Sequence, residues 1–151
     1  AFPGSAYDMS HGQPVVYVDR AVFADVARFL RDEQEFSMLV DVTAVDHLLD
    51  GARYVPGGVV LERFEVVANY LSHTRNRRIR VICELDSTDT PVPSITPVYP
   101  GADFPERETY DMFGIVFDGH PDLRRVFLEE TFPGHPLRKS FMPPRSDARG
   151  G

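Results

Sequence analysis

The spacing of hydrophobic and polar positions changes several times along this chain, and each change predicts an element. Val15, Val16, Tyr17 and Val18 form a short β-prone run, and Asp19 is placed to cap a helix after it. Over residues 21–34, Val22, Phe23, Val26, Phe29 and Leu30 recur at helical spacing while Asp25, Arg28, Arg31 and Asp32 take the other side. That is the pattern of an amphipathic helix lying on a sheet. Residues 36–46 alternate instead, with Phe36, Met38, Val40, Val42 and Ala44 on one face of a predicted strand. Two more strands are predicted. One covers residues 63–72, with Phe64, Val66, Ala68 and Tyr70 sharing a face, and the other covers 78–86, with Ile79, Val81, Cys83 and Leu85.

Between these runs the chain carries breaks. Residues 1–14 contain Gly, Pro and Ser without a period and read as an amino-terminal arm. Residues 49–58 read as a loop, and the basic run His73, Thr74, Arg75, Asn76, Arg77, Arg78 joins the last two strands. Such a run suits a phosphate, nucleic-acid or partner contact, and it equally suits an ordinary hairpin tip kept in water by its cations. Pro91, Pro93, Pro97, Pro100 and Pro105 then stiffen a connector that precludes a long helix or a central strand. The predicted fold class is α+β, a two-layer α/β sandwich with a mixed sheet over residues 15–100. Residues 101–151 add a charged helix and a long extended carboxy-terminal segment.

That last part is the most constrained. Asp103 with Glu106 has capping-box spacing, Pro105 is tolerated in a first turn, and Gly114 supplies a left-handed stop. Two stiff turns follow, Gly119-His120-Pro121 and Gly134-His135-Pro136, each trailed by cations: Arg124 and Arg125 after the first, Arg138 and Lys139 after the second. Ile115, Phe117, Leu123, Val126, Phe127, Phe132, Leu137 and Phe141 are scattered among them with neither helical nor strand period. The expectation is a tail that partners hold, with some of its cations paired to Glu106, Glu108 or Asp111.

Composition narrows the function. The chain has 151 residues, 42% of them hydrophobic, enough for one globular core with an appendage. A net charge of -7 argues against general affinity for nucleic acid or an anionic membrane. No stretch approaches the length of a membrane-spanning helix and no signal-peptide pattern opens the chain, so the protein is expected to be soluble by itself. Cys83 is the lone cysteine, which excludes an internal disulfide and a four-thiolate iron–sulfur cluster held by this chain.

The candidate chemistry thins out on inspection. Glu106 and Glu108 flank Arg107 and point in different directions on a helix, which favours ion pairing over acid–base work. Cys83 falls on an apolar strand face, as a core thiol does. His120 and His135 have identical neighbours and invite a metal, yet two imidazoles without further ligands at recognisable spacing fall short of a site, and each suits a structural turn. No Gly-rich phosphate loop, nucleophile elbow or nucleotide fingerprint is present. Neither catalytic nor cofactor-binding nor metal-ligating residues are therefore expected.

Four linked blocks carry a resemblance: Glu106-Arg107-Glu108, Asp111-Met112-Phe113-Gly114-Ile115, Gly119-His120-Pro121-Asp122-Leu123-Arg124-Arg125 and Gly134-His135-Pro136-Leu137-Arg138-Lys139. In this order they resemble the C-type (thirty-kilodalton-type) subunit of respiratory complex I, the NADH:quinone oxidoreductase. Phe104 and Phe132 stand where the family usually has tryptophan and Ser140 where it has aspartate, the marks of a divergent branch. The resemblance implies a two-layer α/β fold and a cofactor-free subunit of the hydrophilic arm. It implies FMN, iron–sulfur clusters and quinone on other subunits. The implied partners are the quinone-cavity subunit, of forty-nine-kilodalton type, and the terminal-cluster subunit, of twenty-kilodalton type. The motif residues then serve at subunit interfaces, and the assembly lies peripherally, on the cytoplasmic face of a bacterial inner membrane or the matrix face of the mitochondrial one. Two alternatives stay open: the equivalent subunit of a membrane-bound hydrogenase or other quinone-linked dehydrogenase, and a free-standing RNA-binding module. The second fits poorly, since Phe64 and Tyr70 share an apolar face that reads as core.

Overall fold

The computed structural model describes residues 2–50 and 52–143; the last residues of the tail, 144–151, lie outside the described part. Strand β1 (Ala6–Ser10) opens the chain and pairs antiparallel with β2 (Gln13–Tyr17). The stretch read as an arm is thus half strand. His11 and Gly12 close the hairpin with φ of 50° and 77°, the paired positive values of a type I′ turn, whose twist suits two flanking strands.

Asp19 accepts a hydrogen bond from the Ala21 amide (2.8 Å), but it caps a 3-10 turn, Arg20–Val22, from which α1 (Phe23–Asp32) runs on. Phe23, Val26, Ala27 and Leu30 of α1 are buried, as their spacing predicts. Strand β3 (Met38–Asp46) departs from prediction in its first half. Its register with β4 (Phe64–Ser72) slips between Leu39 and Asp41, so Val42 and Ala44 face the core while Met38 and Val40 are exposed. A bulge of this kind places an extra residue on one strand and ends the simple alternation there. β4 and β5 (Arg77–Leu85) pair antiparallel over their whole length and match the predicted strands.

The sheet order is β1-β2-β5-β4-β3, with β2 parallel to β5 and the other pairs antiparallel. This is the mixed sheet expected of the α+β class. Val66, Ala68, Tyr70, Val81, Cys83 and Leu85 form one face, packed with α1 and the second helix, α2 (Asp103–Phe113), in a single core. The opposite face keeps a small cluster of Val15, Val67 and Ile82, flanked by Tyr17.

The proline-rich connector does not separate two units. Val92, Ile95, Val98 and Tyr99 are buried in the same core as the strands, and so are Phe113, Ile115 and Phe117 beyond it. A short strand β6 (Val92–Pro93) pairs parallel with β7 (Phe117–Asp118), where Pro93 has no amide to lose. Tyr99 ties connector to core: its hydroxyl donates to the Phe36 carbonyl at 2.7 Å, and its ring packs 5.3 Å from that of Tyr70. The predicted border at residue 100 therefore falls inside one core, because apolar residues spaced among prolines still bury themselves.

Tyr99→Phe removes that donor and strands a buried carbonyl. A loss of about 1–2 kcal/mol in urea unfolding is expected, with one cooperative transition covering sheet and α2 together. Two separate transitions would contradict the single core.

Candidate functional site

Helix α2 carries two fully buried acids, Glu106 and Asp111. A carboxylate out of water is costly unless its oxygens are bonded, so the partners of these two decide how the chain around them is arranged. The Ser94 hydroxyl donates to Glu106 Oε2 (2.6 Å) and the Ile95 amide to Oε1 (2.8 Å). Burial pushes the Glu106 carboxyl above its ordinary pKa, with these two bonds opposing the rise. This is not the expected capping box. The 3-10 turn Pro100–Ala102 runs straight into α2, and Asp103, at φ -52° and ψ -60°, is already helical where a cap must be extended. Glu106 is thereby free to point inward and hold the connector.

Asp111 holds the tail. Its Oδ2 accepts the successive amides of Val126 (3.2 Å), Phe127 (2.8 Å) and Leu128 (3.1 Å), a concave run of N–H groups of the type that binds anions. Its Oδ1 lies 3.5 Å from Arg125 Nη1, a charge contact between two buried groups. Arg125 also donates through Nη2 to the Gly134 carbonyl (2.9 Å) and sits 5.9 Å over the Phe132 ring. One arginine thus connects the helix to both halves of the tail.

The C-terminal end of α2 is built as a socket. Gly114 caps it at φ 78°, and its amide bonds the Tyr110 carbonyl (2.7 Å). A Cβ there would collide with Arg138 Nη2 and the His135 ring, so both the left-handed backbone and the space require glycine. Orphan carbonyls of the last turn are taken up by the tail: His135 Nδ1 meets Asp111 O (2.9 Å), the Leu137 amide donates to Met112 O (3.0 Å), and Arg138 Nε donates to Phe113 O (2.6 Å). Arg138 Nη2 reaches Thr88 Oγ1 (2.8 Å), tying connector and tail together. Burial, followed by the charges of Arg138 and Arg125, pushes the His135 pKa down, while its bond to Asp111 O opposes the shift.

The first turn works at the other end of the helix. With Gly119 at φ 81°, the His120 Nδ1 accepts the Asp122 amide (2.9 Å), and Nε2 faces the Asp103 carbonyl (3.1 Å). Asp103 and Asp111 stand about 12 Å apart along α2 at the rise of a helix, so the two histidines serve opposite ends of it. Among the described residues there is no cluster of three or more His, Cys, Asp or Glu side chains suited to a metal ion.

The predicted cations divide. Arg125 pairs with Asp111, Arg138 serves the Phe113 carbonyl and the Thr88 hydroxyl, and Arg124 pairs with Asp122 (3.0 Å) at the surface. Arg107 Nε donates to the Arg124 carbonyl (3.3 Å) rather than joining Glu106 or Glu108. Glu106 has no cation because its two donors are Ser94 and Ile95. Lys139 acts through its backbone: its amide donates to Asp46 Oδ2 (2.8 Å).

Asp46, Arg63, Thr88 and Ser94 give no signal in the sequence, because single polar residues at strand ends and in a connector carry no pattern. Arg63 binds Asp46 with two bonds of 2.9 Å, and the Leu48 amide adds a third donor side. Burial alone would raise the Asp46 carboxyl, but Arg63 with the Lys139 and Leu48 amides holds it down at about 2. On the opposite sheet face Arg53 clamps the 47–62 loop, donating to Glu84 (2.7 Å), Glu65 (3.3 Å) and the Glu62 carbonyl (3.0 Å). Burial and the neighbouring Glu65 raise the Glu84 pKa.

The geometry is that of a tail moulded on a helix, with Glu106, Asp111, Arg125, His135 and Arg138 turned inward and Glu108, Arg124 and Lys139 exposed. A family model described as "Respiratory-chain NADH dehydrogenase, 30 Kd subunit" matches residues 16–147. The chain belongs to this family.

Curated relatives within it include the NADH-quinone oxidoreductase C subunit of Rhodopseudomonas palustris strain TIE-1. It is 46% identical over 145 residues, which are 93% of this chain and 66% of that protein. The C subunit of Rhodobacter capsulatus is 48% identical, over 89% of this chain and 63% of its own length. That of Caulobacter vibrioides is 44% identical, over 89% and 64%. The chain thus spans somewhat less than two thirds of these relatives. Among solved structures, the trypsin-resistant fragment of Nqo5 superposes with a TM-score of 0.67 at 31% identity, covering 80% of this chain and 90% of that one.

Two outcomes follow for the acids that hold the tail. Asp111→Ala leaves three amides without their acceptor and Arg125 without its counter-charge, and a loss on the order of 3–5 kcal/mol is expected. Amide exchange should quicken at Val126, Phe127 and Leu128 well beyond the change in β4 and β5; uniform quickening would deny Asp111 its tethering role. For Asp46, the folded pKa lies below the ordinary 3.8. Its stabilisation is therefore present above pH 4 and lost as pH falls through 2, on the order of 2 kcal/mol. Asp46→Asn should flatten stability between about pH 5 and pH 2, which acid-titrated unfolding would show.

Proposed function

We propose that the chain is a cofactor-free peripheral-arm subunit of a proton-pumping NADH:quinone oxidoreductase. In this reading it braces the quinone-cavity and terminal-cluster subunits, while FMN, iron–sulfur clusters and quinone sit on its neighbours. The complex carries electrons from NADH to quinone, and this chain contributes shape rather than a reacting group.

The observation that carries the reading is the division of labour on α2 and the tail. Asp111, Arg125, His135 and Arg138 are spent inward, on tail amides and on carbonyls of the helix and tail, while Arg124, Glu108 and large apolar side chains of the same unit are left outside. Phe104 and Phe127, 49% and 60% exposed, form an edge-to-face pair 5.7 Å apart, and Leu137 and Val116 are exposed beside the same elements. A rigid scaffold presenting aromatic and aliphatic groups is the anatomy of a protein–protein contact. Family membership supports which proteins make it. No described helix is long and apolar enough to cross a membrane, so attachment to the membrane in this reading goes through other subunits.

Native purification in gentle detergent, with identification of the co-migrating chains, tests the reading; a hydrogenase-type large subunit in place of the quinone-cavity subunit would redirect it. Phe127→Ser should cost the isolated chain no more than about 1.5 kcal/mol, the worth of its aromatic pair with Phe104. It should lower the yield of intact complex, with little change in the turnover of what assembles. Normal yield with failed quinone reduction would instead assign the tail a direct part in the chemistry. The isolated chain should oxidise no NADH and show neither flavin absorbance nor stoichiometric metal.

A further inference from the structure

At one end of the sheet the strands part. β2 and β5 run parallel and are paired from Val15 with Arg80 onward, but the three residues of β5 before that, Arg77, Arg78 and Ile79, are paired only with β4. The cause is local. Pro14 has no amide to give to a ladder, and residues 13 and 14 turn aside with the β1 hairpin. A wedge of about 740 Å³ opens between the two hairpins, lined on one side by Tyr7, Met9 and His11 and on the other by His73, Arg77 and Arg78.

Three features of this wedge point the same way. The first is charge. Arg77, Arg78, His11 and His73 are all exposed, and among the described residues none makes a side-chain hydrogen bond or ion pair, although the chain as a whole carries -7. Arg75, by contrast, is already taken by Glu35 (2.7 Å). The second is the free strand edge of β5, whose backbone groups on the β2 side have no ladder partner. The third is the apolar wall: Tyr7 is 64% exposed and Met9 50%.

We infer that this wedge is a second docking site, distinct from the α2–tail surface, and that it takes an extended acidic segment of a neighbouring polypeptide. An added strand finds backbone partners along the Arg77–Ile79 edge, where alternate residues turn their N–H and C=O outward. Arg77 and Arg78 point to opposite faces, so carboxylates on both faces of the strand meet them, and its apolar residues lie against Tyr7 and Met9. A short backbone edge with an apolar wall recognises a peptide chain. A phosphate-rich ligand needs only the cations and leaves the backbone edge and the apolar wall unused, whereas an acidic peptide uses all three. The inference rests on the proposed function for who the neighbour is, and not for the chemistry of the wedge.

The test therefore has two arms. In the first, the full chain alone is titrated into a labelled peptide repeating Glu-Glu-Val-Val, which carries glutamate on both faces of a strand, with Gln-Gln-Val-Val as the neutral control, in about 0.15 M salt. Tighter binding of the acidic peptide is expected, weakened about tenfold by Arg77→Glu with Arg78→Glu, which is about 1.4 kcal/mol. Arg77→Gln with Arg78→Gln, the milder pair, should weaken it less and leave the circular dichroism and melting of the chain unchanged. Equal binding of both peptides, or no effect of either pair, overturns the inference.

In the second arm, p-benzoylphenylalanine replaces Tyr7 in the assembled complex, which is irradiated and digested. An adduct with an Asp- or Glu-bearing stretch of another subunit is expected. Adducts only with lipid or nucleic acid, or none, overturn it. A chain that co-purifies with no other subunit would defeat the proposed function, while the peptide arm would still decide the wedge.

Discussion

One buried carboxylate ties the described tail of this protein to its second helix. Asp111 sits on α2 with no exposure to water; its Oδ2 accepts three successive tail amides, and its Oδ1 has only the charge contact with Arg125 at 3.5 Å. Neither side of this arrangement is stable without the other. Without those amides a buried carboxylate loses its hydrogen-bond donors, and without the carboxylate three successive tail amides lose their acceptor. Once Asp111 fixes residues 126–128, Arg125 reaches Gly134, and the second turn is brought to the socket made by Gly114.

The same logic runs in the opposite direction along the helix. Glu106 holds the connector through Ser94 and Ile95, and Tyr99 fastens that connector to Phe36. Helix α2 is short for independent stability in water. It is held because buried acids on it each recruit a different stretch of chain, so that sheet, connector and tail share one core. A surface assembled in this way is rigid while its outward side chains, Phe104 and Phe127 among them, stay free for another protein.

Charge is used unevenly. Arg63, Arg125 and Arg138 are drawn inward to acids and carbonyls, and Arg53 clamps a loop across the outer sheet face. The guanidinium fork suits this work, since one side chain serves several acceptors at fixed angles. Arg77 and Arg78 lie at a place where Pro14 has split the sheet, and no acid of the described chain meets them.

Period and turn chemistry in the sequence determined the elements: α1 from its helical stripe, β4 and β5 from their alternation, Gly114 as the stop of α2, and family membership from the ordered blocks around residues 106–139. These are local or contiguous properties, and a linear pattern carries them. Tertiary structure alone decided the rest. The β1–β2 hairpin was hidden because a five-residue edge strand among Gly and Pro has too little pattern to read. The bulge in β3 depends on its partner strand, and the role of Glu106 depends on a 3-10 turn that denies Asp103 its cap. The pairing of Asp111 with amides as well as a cation, and the use of Lys139 through its backbone, lie between residues far apart in the chain. A buried acid takes whichever donors the fold brings within reach, and the order of residues along a chain does not say which those are.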